Sequence, residues 1–151
     1  MKKADFNRNF LALFSYFLLI PGIHFPHISK LGSEFIYDSH RDPGIYIWLI
    51  EGSGSIFYPF GLSQSFSDNF LIPTILAKAL LAITNNTPLT YNLLIISATL
   101  TNCFCTYLLA KHLTKNSLAS FFAGFVFGFS SFLSSQYGHP QLQFAFFFPL
   151  G

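Results

Sequence analysis

Tyr91 to Ala110 reads YNLLIISATLTNCFCTYLLA, twenty residues without a formal charge, and Lys111, His112 and Lys115 close it off. The hydrocarbon core of a bilayer is about 30 Å thick and takes about 20 apolar residues of helix. The stretch is therefore long enough to span one, and the basic residues that follow suit a boundary at the headgroup level. The same reading extends in both directions. Residues 9–29 carry no formal charge, and Phe10 to Phe25 is almost wholly apolar. That gives a first span, with Pro21 and Gly22 expected to kink or end it. A cleaved signal peptide competes for this stretch, but the apolar run is long and no small-x-small cleavage site follows. Residues 117–136 form a third uncharged stretch, and the onset of a fourth, at 142–151, runs through Phe144-Ala145-Phe146-Phe147-Phe148. Ten helical residues rise only about 15 Å and do not cross a bilayer. The expectation is a fragment of a longer protein, a single truncated transmembrane domain.

Composition agrees with the spans. The chain is 151 residues long, 52% hydrophobic and only 9% charged, against roughly 25% charged residues in soluble domains. Intrinsic disorder is excluded by that hydrophobicity. A net charge of +2 with no basic stripe argues against nucleic acid as a partner. Cys103 and Cys105 lie two apart inside an apolar run, so neither a disulfide framework nor a metal site follows; they read as small buried hydrophobes. The expected fold class is all-α, a polytopic helical membrane protein with three spans, the start of a fourth, and a long first loop carrying short surface helices.

The charges also give a topology. Lys2, Lys3 and Arg8 precede the first span, and Lys111 and Lys115 follow the second. The positive-inside rule puts both groups in the cytoplasm, and two spans between them satisfy it. Residues 30–90 are then external, 111–116 internal and 136–141 external again, in a plasma or inner membrane. The apolar segment 69–84 carries Lys78 in its middle and is too short to span. Ile72, Ile75, Leu76, Ala79, Leu80 and Ile83 follow the spacing of a one-sided helix, with Thr74 and Lys78 opposite. It reads as an interfacial helix, with Asp68 as N-cap and Asn85-Asn86-Thr87-Pro88 as its stop. Asn85-Asn86-Thr87 also matches a glycosylation acceptor pattern, a weak signal.

Five of the six acids, Glu34, Asp38, Asp42, Glu51 and Asp68, fall in the 30–90 loop. Its densest polar cluster is Tyr37-Asp38-Ser39-His40-Arg41-Asp42-Pro43, followed at once by the apolar Ile45 to Ile50. One reading of Asp42-Pro43 is structural: Asp as N-cap and Pro as first residue of a short helix over 43–51, stopped by Gly52. The other is chemical: a carboxylate held at the membrane surface acts as a general base toward an acceptor hydroxyl. A capping residue is rigidly placed, so the two are compatible. Asp38, His40 and Asp42 have no regular ligand spacing, so no metal and no cofactor are expected. Arg41 can take a lipid phosphate in a bidentate grip, or pair with Glu34, Asp38 or an anionic headgroup. Gly52-Ser53-Gly54-Ser55 lacks the strand and the Lys-Ser/Thr of a phosphate loop, and Tyr58-Pro59-Phe60-Gly61 reads as a turn. In the third span Ser120, Gly124 and Gly128 recur every four residues, a stripe that lets helices approach closely. His139, in Gly138-His139-Pro140, lies at the external end of that span, on Asp42's side, and is the second candidate site residue.

These residues carry a resemblance. Asp42-Pro43-x4-Trp48 after one span is similar to the Asp-Pro-x4-Trp element of polytopic GT-C superfamily glycosyltransferases. Tyr58-Pro59-Phe60-Gly61, a surface helix, Tyr91-Asn92-Leu93-Leu94 leading to Lys111-His112-Leu113-Thr114, Ala123-Gly124, Gly128-Phe129-Ser130, Gly138-His139 and Pro149-Leu150 follow in that family's order. The resemblance spans residues 35–151 and departs at Arg41, where the family commonly has Gly. It implies transfer of a sugar from a polyprenyl-phosphate donor to an acceptor on the external face, with inversion at the anomeric carbon. Asp42 takes the place of the characteristic acid, and Arg41 or His139 lies near the phosphate. The implied partners are the bilayer, the lipid-linked donor, and further transmembrane helices from a missing C-terminal part. The competing functions are a non-catalytic assembly subunit or truncated inactive product, and a transporter module. A transporter would place ionisable residues inside its spans, and these three stretches contain no Asp, Glu, Lys or Arg after Arg8.

Overall fold

The computed structural model describes residues 3–24, 27–36, 43–51 and 71–150, and among them every regular element is helical. In chain order these are α1 (Lys3–His24), a 3-10 turn (His27–Lys30), α2 (Pro43–Glu51), α3 (Leu71–Thr84), α4 (Thr87–Thr114), α5 (Ser117–Gly128), α6 (Ser131–Ser135), α7 (Pro140–Gln143) and α8 (Phe147–Leu150). Among the described residues three stretches are long and apolar enough to cross a membrane: Asp5–Ile23, Thr87–Thr114 and Ser117–Ser135.

The centre of the fold is α4, whose 28 residues rise about 42 Å. Its limits are set by capping rather than by the edges of the uncharged run. Asn85 (φ 46°) ends α3 in the left-handed region. Asn86 then accepts a hydrogen bond from the Leu89 amide, and Pro88 occupies the first turn, where its missing N–H costs nothing. The second candidate span thus runs over 87–114 instead of 91–110. At the far end Lys115 (φ 57°) closes α4 with its N–H on the Lys111 carbonyl. The Asn116 side chain accepts from the amides of Leu118 and Ala119 to start α5. Two residues therefore reverse the chain and lay α5 antiparallel on α4.

The small-residue stripe does what its spacing predicts. Ser120, Gly124 and Gly128 are the buried residues of α5. A Cβ on Gly124 would run into the Tyr16 hydroxyl and the Cys103 carbonyl, and one on Gly128 into the Cys103 sulfur. Cys103 and Cys105 are buried free thiols. The third uncharged stretch is not one helix: Phe129 and Ser130 interrupt it, and the Ser130 hydroxyl caps α6. The expected onset of a fourth span likewise takes the form of two single turns, α7 and α8, separated at 144–146. Gln143 is fully buried there, its carbonyl accepting from Asn102 and its amide donating to the Leu133 carbonyl.

Helix α1 runs antiparallel to α4. Near its start Asn9 accepts from the Lys111 ammonium (2.7 Å) and the Tyr107 hydroxyl (3.3 Å). Midway, the fully buried Tyr16 donates to the Phe121 carbonyl and stacks on the Phe121 ring. Near its end Ile20 joins Leu94, Ile95 and Ala98 in the larger core cluster. The helix continues through Pro21 to His24 rather than ending at Pro21. Its other face points away from the bundle, with Phe10 60%, Phe14 48% and Phe17 55% exposed. An apolar face of that kind suits lipid as solvent. The basic residues Arg8, Lys111 and Lys115 therefore lie at one end of the bundle, and the 27–36, α2 and α3 segments at the other.

The apolar stripe of α3 is oriented differently from expectation. Pro73 and Ala77 are the buried positions, packed toward α2 and α4, and Thr74 is half-buried. Ile72, Ile75 and Ile83 point outward beside the exposed Lys78. Of the expected stripe, Leu76 does pack against the core, as does Leu81, and Leu80 is half-buried. Residues 69 and 70, and Asp68, lie outside the described residues.

Candidate functional site

The described elements that flank the expected site in the sequence, residues 27–36 and α2, lie at the end of the bundle away from Lys111. Asp42 and Arg41, with Asp38 and His40, are outside the described residues. What the structure supplies is the frame on either side of them. On the N-terminal side the chain is held by Asn92, which is fully buried in α4. Its side-chain oxygen accepts from the Ile36 amide (2.9 Å), and its nitrogen donates to the carbonyls of Leu31 (2.8 Å) and Glu34 (2.7 Å). An amide side chain offers two donors and one acceptor oxygen, so Asn92 is committed to fixing 31–36. A second amide, Asn86, donates to the Gly32 carbonyl (3.0 Å). Glu34, one of the groups considered for Arg41, pairs with Lys30 at 2.6 Å on the surface.

On the C-terminal side Pro43 opens α2, as the Asp-Pro pattern predicts, and the helix ends at Glu51. The helix is anchored twice. Tyr46 and Ile50 are buried in the larger core cluster. The Glu51 carboxylate accepts from the Thr87 hydroxyl (2.7 Å), tying the end of α2 to the start of α4. The six residues 37–42 thus connect two fixed points, Ile36 on Asn92 and Pro43 at the head of α2.

His139 is the one sequence-predicted site residue within the described set. It sits half-buried before α7, its backbone N–H on the Gln136 carbonyl (2.8 Å). Its ring meets the Tyr46 ring edge-on at 6.4 Å between centroids. Gln141 donates to the Tyr46 hydroxyl. The end of the third candidate span is therefore brought to α2, which opens at Pro43. Tyr91 donates to the Tyr137 carbonyl (2.9 Å), which fixes this turn against α4. Burial raises the Tyr137 phenol above its ordinary value, more than its hydrogen bond with Ser134 lowers it. It is a neutral phenol at physiological pH. Among the described residues no group of three His, Cys, Asp or Glu side chains lies close enough to hold a metal ion.

Sequence reasoning missed Asn92, Tyr46 and Gln141. Asn92 was visible as a lone amide in an apolar run, and a buried amide demands partners; which backbone groups answer it is a tertiary fact. Comparison with family models, curated proteins and solved structures finds no match.

Proposed function

We propose that the chain forms the N-terminal part of a polytopic, integral-membrane glycosyltransferase of inverting type. It moves a sugar from a polyprenyl-phosphate donor to an acceptor hydroxyl at the external face of a plasma or inner membrane. In this reading the N-terminus and 111–116 are cytoplasmic, and the acidic loop 30–90 is external, with α3 lying in the interface. The Asp42 carboxylate removes the proton of the acceptor hydroxyl. The freed oxygen attacks the anomeric carbon on the side opposite the phosphate. The bond from that carbon to the phosphate oxygen breaks, its electron pair leaves with the polyprenyl phosphate, and the configuration inverts. Arg41 and His139 hold the phosphate, the guanidinium offering a two-point grip on its oxygens.

The observation that carries the reading is the contact between Tyr46 of α2 and His139. It joins the helix that begins one residue after Asp42 to the turn that closes the third span. A base and a phosphate-binding group from separate elements need such a common frame, because a displacement of about 1 Å can cost a hundredfold in rate. The Asn92 clamp on 31–36 supports it from the other side.

The test is transfer from a radiolabelled polyprenyl-phosphate sugar in proteoliposomes that hold the full-length enzyme, wild type against Asp42→Asn. A positioned general base contributes about 10²–10⁴-fold, so the variant should lose transfer by that factor while still inserting. Retained transfer removes Asp42 from the mechanism.

A further inference from the structure

At the basic end, away from the proposed reaction site, α1 and the first turns of α5 enclose a cleft of about 330 Å³ beside Tyr107. That volume lies within the roughly 300–1,000 Å³ range of small-ligand sites. Leu11, Ala12, Leu118 and Phe121 form its walls, and Arg8 and Ser117 its polar edge. We propose that this cleft holds an anionic glycerophospholipid, with one acyl chain between α1 and α5 and the phosphate on Arg8.

Three features point to that occupant. The walls are apolar and open outward, since Leu11 and Leu118 are both more than 60% exposed, so a chain can enter sideways from the bilayer. The polar edge is at headgroup depth, because Arg8 lies one to two turns from the start of α1 and Ser117 opens α5 right after the chain reversal. The local charge is positive. Asp5, the acid of this end, is directed to Lys111 at 3.7 Å, and Lys111 also binds Asn9 and lies 5.6 Å over the Tyr107 ring. Among the described residues no carboxylate pairs with Arg8. An unpaired guanidinium at the mouth of an apolar groove matches a phosphate above an acyl chain. The neighbouring lysines disfavour a headgroup that carries its own cation. Under the proposed topology this end faces the cytoplasmic leaflet, the one with negative surface potential.

The test is native mass spectrometry of the purified full chain released from micelles, titrated with phosphatidylglycerol or phosphatidylcholine. One phosphatidylglycerol should be retained per chain, about tenfold more than phosphatidylcholine. Arg8→Gln should lower that retention about tenfold, as expected for loss of a charge-assisted hydrogen-bonded pair. Lys78→Gln, the same charge change at the other end on α3, should leave it unchanged. Ser15 also lines the cleft, so Ser15→Phe fills it without altering charge and should reduce retention of either lipid; if that variant fails to fold, judged by circular dichroism, the Arg8 and Lys78 pair still decides. Equal retention of the two lipids, or equal effects of Arg8→Gln and Lys78→Gln, would overturn the proposal. So would displacement of the lipid by equimolar inorganic phosphate, or a second copy of the chain occupying the cleft in place of lipid.

Discussion

Gly124→Ala adds one methyl group where α1, α4 and α5 meet. The new Cβ would meet the Tyr16 hydroxyl and the Cys103 carbonyl. The carbonyl belongs to the backbone of α4 and cannot turn aside, so either α5 moves away or Tyr16 does. Overpacking of this kind costs about 1–3 kcal/mol. If Tyr16 moves, its bond to the Phe121 carbonyl (2.8 Å) is also lost, at about 0.5–1.5 kcal/mol. Against these stands the better helix propensity of Ala, about 1 kcal/mol. The balance is a destabilisation of about 1–3 kcal/mol. Gly22→Ala is the matched control: nothing lies within 4 Å of its Cβ, so only the propensity gain of about 0.5–1 kcal/mol remains. The two substitutions are chemically identical and should have opposite signs. Reversible unfolding of the micelle-bound protein, followed by circular dichroism against the mole fraction of a denaturing detergent, measures both. A Gly124→Ala protein as stable as the wild type would refute the close α1–α4–α5 contact.

Other outcomes follow from the same geometry. Asn92→Leu strands the Ile36 amide and two carbonyls, each stranded group costing about 1–3 kcal/mol; hydrogen exchange at 31–36 should accelerate by at least tenfold, and unchanged protection would contradict the clamp. Lys111→Met removes the ammonium from Asn9 and should destabilise by about 1–3 kcal/mol, read as a lower unfolding midpoint. The raised Tyr137 phenol keeps its proton in the folded state above the pH at which it ionises in the unfolded chain. Its contribution is therefore intact below about pH 10 and lost as pH rises beyond it; Tyr137→Phe should show a shallower alkaline decline in stability, and an identical decline would count against the burial.

Much of the architecture is legible because charge is scarce. The gaps between charged residues locate the three candidate spans, and Asn85-Asn86-Thr87-Pro88 marks the break between α3 and α4 through residue types that favour left-handed and capping positions. The stripe Ser120-Gly124-Gly128 is legible because its period matches one helix face. The faces of α3 are legible only in part: of the marked stripe Leu76 packs on the core and Leu80 is half-buried, whereas Ile72, Ile75 and Ile83 face outward and Pro73 and Ala77 take the buried positions. Nor does hydropathy reveal the interruption at Ser130, since a capping hydroxyl barely alters the average over the stretch. At the candidate site the Asp42-Pro43 pattern foretells α2 to the residue. The approach of His139 to Tyr46, 93 positions apart in the sequence, depends on the chain reversal at Lys115 and the turn at 136–139, and no local pattern encodes it.

The proposed transfer reaction and the lipid cleft both require the two ends of the bundle to face opposite sides of a membrane. Cysteines placed at Ser33, exposed at the loop end, and at His112, exposed at the basic end, test this directly with a membrane-impermeant thiol reagent on intact cells. The native Cys103 and Cys105 are buried and provide a silent background. Labelling of Ser33→Cys from outside, with His112→Cys labelled only after the membrane is opened, is the predicted result. External labelling of His112→Cys, or of both positions together, would contradict the account.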